Sequence, residues 1–158
     1  MELDDLYQDI LLDHARSPRH REDLREDDVL ADERNPVCGD AIRLALRIED
    51  GRLKNVRFDG KGCAISTASA SLMAEYADGR PVDDTRRMAR DVVRWLRGEL
   101  ESTGPDAPED LLALAGVRQF PMRIKCATMC WHALEHAIAN LQQQALVPAQ
   151  VIEGTNAQ

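Results

Sequence analysis

The most constraining stretch of this sequence is an alternation that runs into a turn. Ile42, Leu44, Leu46 and Ile48 occupy every second position, with Arg43, Arg47 and Glu49 between them. Successive side chains on a strand point to opposite faces, so this run reads as a half-buried strand. Asp50-Gly51 follows, a dipeptide suited to the positive φ angles of a two-residue hairpin turn. Val56 and Phe58 then alternate against Arg57 and Asp59, which gives a second strand.

Helical spacing dominates elsewhere. Leu3, Leu6, Tyr7, Ile10 and Leu11 recur with a helical period until Ser17-Pro18 stops it. Residues 19–33 are polar and acidic and read as an extended connection or a weak edge strand. Arg34 to Asp40 is rich in turn formers and reads as a loop. Gly60-Lys61-Gly62-Cys63 closes the second strand. A helix of small residues begins at Ala64, and small side chains let a helix lie close to a sheet. Asp78-Gly79-Arg80-Pro81 ends it. Residues 83–97 are helical, with Met88, Val92, Trp95 and Leu96 as the apolar stripe. A loop from Ser102 to Pro108 and a short helix from Glu109 to Ala115 come next. The last helix is expected to start near Arg123, with Ala127, Cys130, Trp131, Leu134, Ile138 and Leu141 on one face. Residues 145–158 lose this period and are expected to be a loosely ordered tail.

At 158 residues the chain is long enough for one domain with a real core. The net charge is −8, and acids crowd the first third, a surface that repels phosphate backbones. Aromatics make up 4%, too few for a base-stacking platform. A nucleic-acid partner is therefore not expected. No stretch approaches the roughly 20 apolar residues of a membrane span, so no membrane association is expected either. The first ten residues, MELDDLYQDI, have neither the basic start nor the apolar core of a secretion signal, which points to the cytoplasm. In that reducing compartment structural disulfides are rare. Cys38, Cys63, Cys126 and Cys130 therefore suggest metal binding or thiol chemistry.

Three of these cysteines share a setting. Cys38 lies in the loop before a strand, Cys63 between a strand and a helix N-terminus, and Cys126 in the first turn of the last helix as read above. Their separations, 25 and 63 residues, are not zinc-finger spacings. The surroundings say more. Glycines beside Cys38 and Cys63 permit tight backbone paths, and a helix N-terminus favours the thiolate that binds metal or attacks sulfur. Asp40 lies two residues beyond Cys38, on the same side of an extended chain. Three thiolates and one carboxylate suit tetrahedral zinc. The carboxylate is the ligand more readily displaced, so such a site can open. Taken alone, any one of these cysteines would by default be a buried apolar residue, and Asp40 would be a turn residue.

Asn35-Pro36-Val37-Cys38-Gly39-Asp40, Gly60-Lys61-Gly62-Cys63-Ala64-Ile65-Ser66 and Arg123-Ile124-Lys125-Cys126-Ala127 resemble the three ligand motifs of the NifU/IscU-like iron–sulfur cluster assembly family, in the right order. The resemblance spans about residues 2–142. It implies an α+β chain with the SufE/NifU-like fold. That fold has a small antiparallel sheet of about three strands with helices packed on one face, and one domain over residues 1–144. It implies zinc bound by Cys38, Asp40, Cys63 and Cys126, with an iron–sulfur cluster or iron as the alternative cargo. It also implies a SufS-type cysteine desulfurase as partner and downstream cluster-assembly machinery as recipient. IscU-type members carry a histidine where this chain has Lys125, and SufU-type members carry an extra segment between the second and third cysteines. Both details favour the SufU branch.

On that resemblance Cys38 is the expected sulfur acceptor, and the chain is a sulfurtransferase-type acceptor more than a stand-alone enzyme. Two alternatives stay open: a scaffold on which a cluster is assembled, and a zinc-stapled interaction domain without sulfur chemistry. Arg123 and Lys125 are expected to support the site. Cys130 falls on the apolar stripe of its helix and is expected in the core. His14, His20, His132 and His136 are read as surface or capping residues, and Trp95 and Trp131 as core anchors.

Overall fold

The computed structural model describes residues 3–146. Helix α1 (Leu3–Arg16) leads into an extended strap containing a 3-10 turn at Glu26–Asp28. Three strands follow, β1 (Ala31–Asn35), β2 (Asp40–Glu49) and β3 (Arg52–Lys61). They form one antiparallel sheet in the order β1-β2-β3. Then come α2 (Ala64–Ala77), α3 (Val82–Leu96), a 3-10 run at Glu109–Gln119 and α4 (Pro121–Leu146). The arrangement is the α+β one expected, with a three-stranded sheet.

The alternation does what its period requires. Ile42, Leu44 and Leu46 of β2, with Leu53, Val56 and Phe58 of β3, are buried on one face. Asp50 and Gly51 make the turn with φ of +53° and +74°. Helices α2 and α4 cover the apolar face. The small residues of α2 allow this close approach, and Ala68, Ala74 and Ala77 have no exposure at all. Trp131 of α4 is fully buried. Its indole N–H donates to Ser69 Oγ of α2 at 3.2 Å, and Ser69 in turn donates to the Ala127 carbonyl at 2.6 Å. The buried ring thus keeps its polar edge satisfied. Helix α3 packs on α4, and α1 packs on α2.

The opposite face of the sheet is polar. Register places Arg43 opposite Asp59. The guanidinium donates to both carboxylate oxygens at 2.8 and 2.7 Å, and the Leu24 amide donates to the same carboxylate at 2.8 Å. Leu24 belongs to the strap, which runs across this face. The strap begins beside β3, where Phe58 exchanges backbone hydrogen bonds with His20 and Glu22. It ends at Leu30, whose amide reaches Leu44 and extends the pairing of β1.

Several boundaries differ from the sequence reading. The edge strand is real but occupies residues 31–35, so Arg34 and Asn35 belong to β1 and not to a loop. The segment read as a helix from Glu109 to Ala115 is 3-10 and continues to Gln119. Helix α4 starts at Pro121, because proline at a first helical position loses no hydrogen bond. Cys126 consequently lies in the second turn. His14 is not at the surface: it is 3% exposed, with Nδ1 2.7 Å from Ser71 Oγ. Ala145 and Leu146, read as the start of the tail, are still helical. Residues 147–158 lie outside the described residues. No helix among the described residues is long and apolar enough to cross a membrane.

Candidate metal centre

Three elements meet at one end of the sheet. The first is the turn between β1 and β2. Asn35 and Asp40 are register partners, so Pro36 to Gly39 form the hairpin loop, closed by Gly39 N–H on the Asn35 carbonyl at 2.8 Å. Gly39 takes φ +78°, the left-handed region that other residues enter at a cost. Cys38 is exposed on this loop, and Asp40, the first residue of β2, is buried.

The second element is the N-terminus of α2. Cys63 is its N-cap, and the Cys63 sulfur accepts from Ser66 N–H at 3.4 Å. A thiol thus takes the place usually filled by a serine or aspartate oxygen. Ser66 Oγ lies 3.4 Å from the same sulfur and donates a short hydrogen bond to Asp40 Oδ2. Gly62 leaves room for this. A Cβ there would stand 2.9 Å from Ser66 Cβ and 3.2 Å from Asp40 Cγ.

The third element is α4, which presents Cys126 at 8% exposure. The Cys126 and Cys38 sulfurs are 3.9 Å apart. Ligand atoms of Cys38, Asp40 and Cys126 all lie within 4.8 Å of one another. Cys63 stands at the margin of this group, close enough to act on the ionisation of both Asp40 and Cys126. The donors suit zinc. Two sulfurs bound about 2.3 Å from one tetrahedral ion are about 3.8 Å apart, close to the Cys38–Cys126 separation.

Electrostatics separate the donors. Burial works against the Asp40 carboxylate, but hydrogen bonds from Ser66, Cys38, Cys126 and Cys63 outweigh it and hold its pKa below the ordinary value. Asp40 is therefore ionised near neutral pH. Burial pushes the Cys126 thiol up to about 12, and the neighbouring Cys63 and Asp40 add to the shift. The helix-terminus effect expected from sequence does not reach Cys126, which sits a turn too deep in α4. Without a cation that thiol keeps its proton, and a bound divalent ion reverses this. Cys130 is fully buried, pushed up to about 12 by burial, and touches Ser69 Oγ at 3.3 Å. It lies in the core, as its position on the stripe implied.

The remaining candidates are placed as follows. Lys125 and Arg123 are exposed on the first turns of α4. Arg123 lines a groove with Tyr7, Ile65 and Phe120. Among the described residues neither side chain hydrogen-bonds a cysteine. Ser66 was missed by sequence reasoning. A hydroxyl three residues after a cysteine that opens a helix was the available signal, since that position is where a capping partner falls. A second group, His14, Glu75 and Asp110, also brings ligand atoms within 4.8 Å. There the Arg19 guanidinium, 3.7 Å from Glu75, opposes a cation.

Residues 6–147 match the NifU-like N terminal domain family. The chain is 38% identical over 137 residues to the zinc-dependent sulfurtransferase SufU of Bacillus subtilis, covering 87% of this chain and 92% of that protein. It is 36% identical over 156 residues to the iron–sulfur cluster assembly scaffold protein IscU of Streptococcus pyogenes serotype M1, covering 98% and 96%. The crystal structure of FiSufU from Fervidobacterium islandicum AW-1 has the same fold, with a TM-score of 0.75 at 23% identity over 87% of this chain and 99% of that one. A match that spans nearly the whole fold, with the cysteine-bearing segments meeting at one end, makes this chain a member of the NifU/IscU-like iron–sulfur cluster assembly family, of the SufU type.

Proposed function

We propose that this protein accepts persulfide sulfur from a SufS-type cysteine desulfurase at Cys38, beside a zinc ion held by Cys38, Asp40, Cys63 and Cys126, and passes it to downstream cluster-assembly machinery in the cytoplasm. The observation that carries the reading is the contrast between the cysteines. Cys126 is buried in a helix, and Cys63 is tied to the start of α2 by Ser66. Cys38 and Cys63 are both exposed, but Cys38 alone of the three stands on a four-residue hairpin loop with no helix holding its sulfur, which favours it as the one that moves to a partner. The name of the Bacillus subtilis relative supports both the zinc and the sulfur transfer.

Zinc, when bound, keeps the cysteine sulfurs ionised at neutral pH. The chain's own residues do the rest. The β1–β2 loop carries the Cys38 thiolate to the partner. That thiolate attacks the outer sulfur of the partner's cysteine persulfide, the partner's S–S bond breaks, and a new S–S bond forms on Cys38. Ser66 keeps the Asp40 carboxylate oriented and ionised while this happens.

The test is desulfurase turnover together with intact-mass analysis. Parent protein is expected to accelerate cysteine desulfuration and to gain 32 Da on the peptide containing Cys38. Cys38→Ala is expected to abolish both effects, while Cys130→Ala retains them. Sulfur found on Cys63 or Cys126 in place of Cys38 would overturn the assignment. The scaffold reading is favoured by the name of the Streptococcus relative. A stable iron–sulfur chromophore formed in preference to stoichiometric zinc would establish it.

A further inference from the structure

Next to the cysteine cluster lies a surface pocket of about 360 Å3. One wall is Asn35–Val37, the limb of the hairpin that carries Cys38. The opposite wall is α4 with Lys125 and His132, and Arg97 closes the side. The charges here are unevenly matched. Glu33, the acid on the rim, is hydrogen-bonded to His136, and Arg34 pairs with Asp32 at 3.4 Å. Arg97 and Lys125 have no carboxylate within ion-pairing distance among the described residues. The nearest polar partner of Arg97 is His132 Nε2 at 3.5 Å, and burial, with Arg97 itself, keeps that ring neutral. In a chain of net charge −8, two cations with no ion-pair partner among the described residues share one pocket beside the loop that bears Cys38.

We propose that this pocket binds the carboxylate of a small thiol, and that this thiol takes sulfur from Cys38. The inference rests on the sulfur-acceptor reading and names the class of acceptor. Guanidinium and ammonium groups together bind an oxyanion, and the oxyanion that small thiols commonly carry is a carboxylate. The volume falls in the range of small-molecule sites, roughly 300–1,000 Å3. A carboxylate anchored at Arg97 and Lys125 leaves the rest of its molecule against Asn35–Val37, the limb of the loop that continues into Cys38. The thiolate of the acceptor attacks the outer sulfur of the Cys38 persulfide. The Cys38 S–S bond breaks, an S–S bond forms on the acceptor, and the acceptor's thiol proton ends on the Cys38 sulfur. No net oxidation or reduction occurs, so no further reactant is needed.

The experiment uses zinc-loaded, full-length protein carrying persulfide on Cys38, with loading verified by mass before any thiol is added. Sulfur transfer to 3-mercaptopropionate is compared with transfer to its neutral amide at equal thiolate concentration. The expected result is saturable transfer to the acid, at least ten times faster than to the amide at low concentration. Arg97→Gln with Lys125→Gln should bring the ratio within twofold. Equal rates in the parent protein, or a ratio unchanged in the double variant, overturn the proposal. If Cys38 takes up no persulfide, the acceptor reading itself has failed. The pocket is then judged by NMR titration with 3-(methylthio)propionate, where a lack of saturable shifts around Arg97 and Lys125 overturns it.

Discussion

The Cys38 and Cys126 sulfurs stand 3.9 Å apart although 88 residues of chain separate them. Only the packing of α4 against the sheet brings them together, so a metal ion at this point joins a hairpin loop to a helix. Zinc in thousandfold excess over its dissociation constant should stabilise the fold by about 4 kcal/mol. At about 2–4 °C per kcal/mol for a chain of this size, chelation should lower the melting temperature by about 10 °C. Thermal melts with zinc and with chelator check this, and a midpoint that ignores zinc would count against the site.

Ser66→Ala should weaken zinc binding by about 10- to 100-fold without unfolding the protein, the usual effect of removing a group that orients a ligand. Ser66 is the largest influence lowering the Asp40 pKa, and it also touches the Cys63 sulfur. Competition against a chromophoric chelator measures the affinity. Ser66→Thr keeps the hydroxyl and should restore most of it.

Cys130→Ala should leave zinc stoichiometry unchanged and cost about 1 kcal/mol of stability, since the change removes one buried sulfur. Ser69→Ala should cost more, about 1–3 kcal/mol, because it strands the Trp131 indole N–H in the core. Denaturant unfolding with metal analysis separates these outcomes from any effect on the site.

Asp59→Asn should destabilise the fold by about 1–3 kcal/mol, by removing the charge that Arg43 and the Leu24 amide address. The hydrogen bond from Arg43 holds the Asp59 pKa below its ordinary value, against burial. The stability this gives is therefore complete above the unfolded carboxylate pKa of about 4 and is lost as pH falls through the lower folded value. Unfolding measured between pH 6 and pH 2.5 should show a shallower acid loss in the variant than in the parent.

The two alternating strands, the hairpin turn between them and the four helices could be read from the sequence because their signals are local. Residues two or four apart carry them. The same holds for the separation of Cys130 from the other cysteines, since the period of α4 assigns it inward. What was hidden depends on which distant residues meet. Ser66 reads as one more small residue of α2 until Asp40 is placed against it. His14 reads as a polar residue at a helix end until α2 supplies Ser71. The strap carries no period, because its role is to satisfy Arg43 and Asp59 on a face that hydrophobic alternation leaves blank.

The strap also decides how the sheet meets other chains. Its residues His20 and Glu22 occupy the hydrogen-bonding groups of Phe58 on the outer side of β3. At the other end Asn140 of α4 donates to the Leu30 carbonyl just before β1. With those backbone groups taken, another protein gains little by adding a strand of its own alongside β3. Association on that side is left to side chains, so a partner must recognise shape and charge there in place of main-chain pairing.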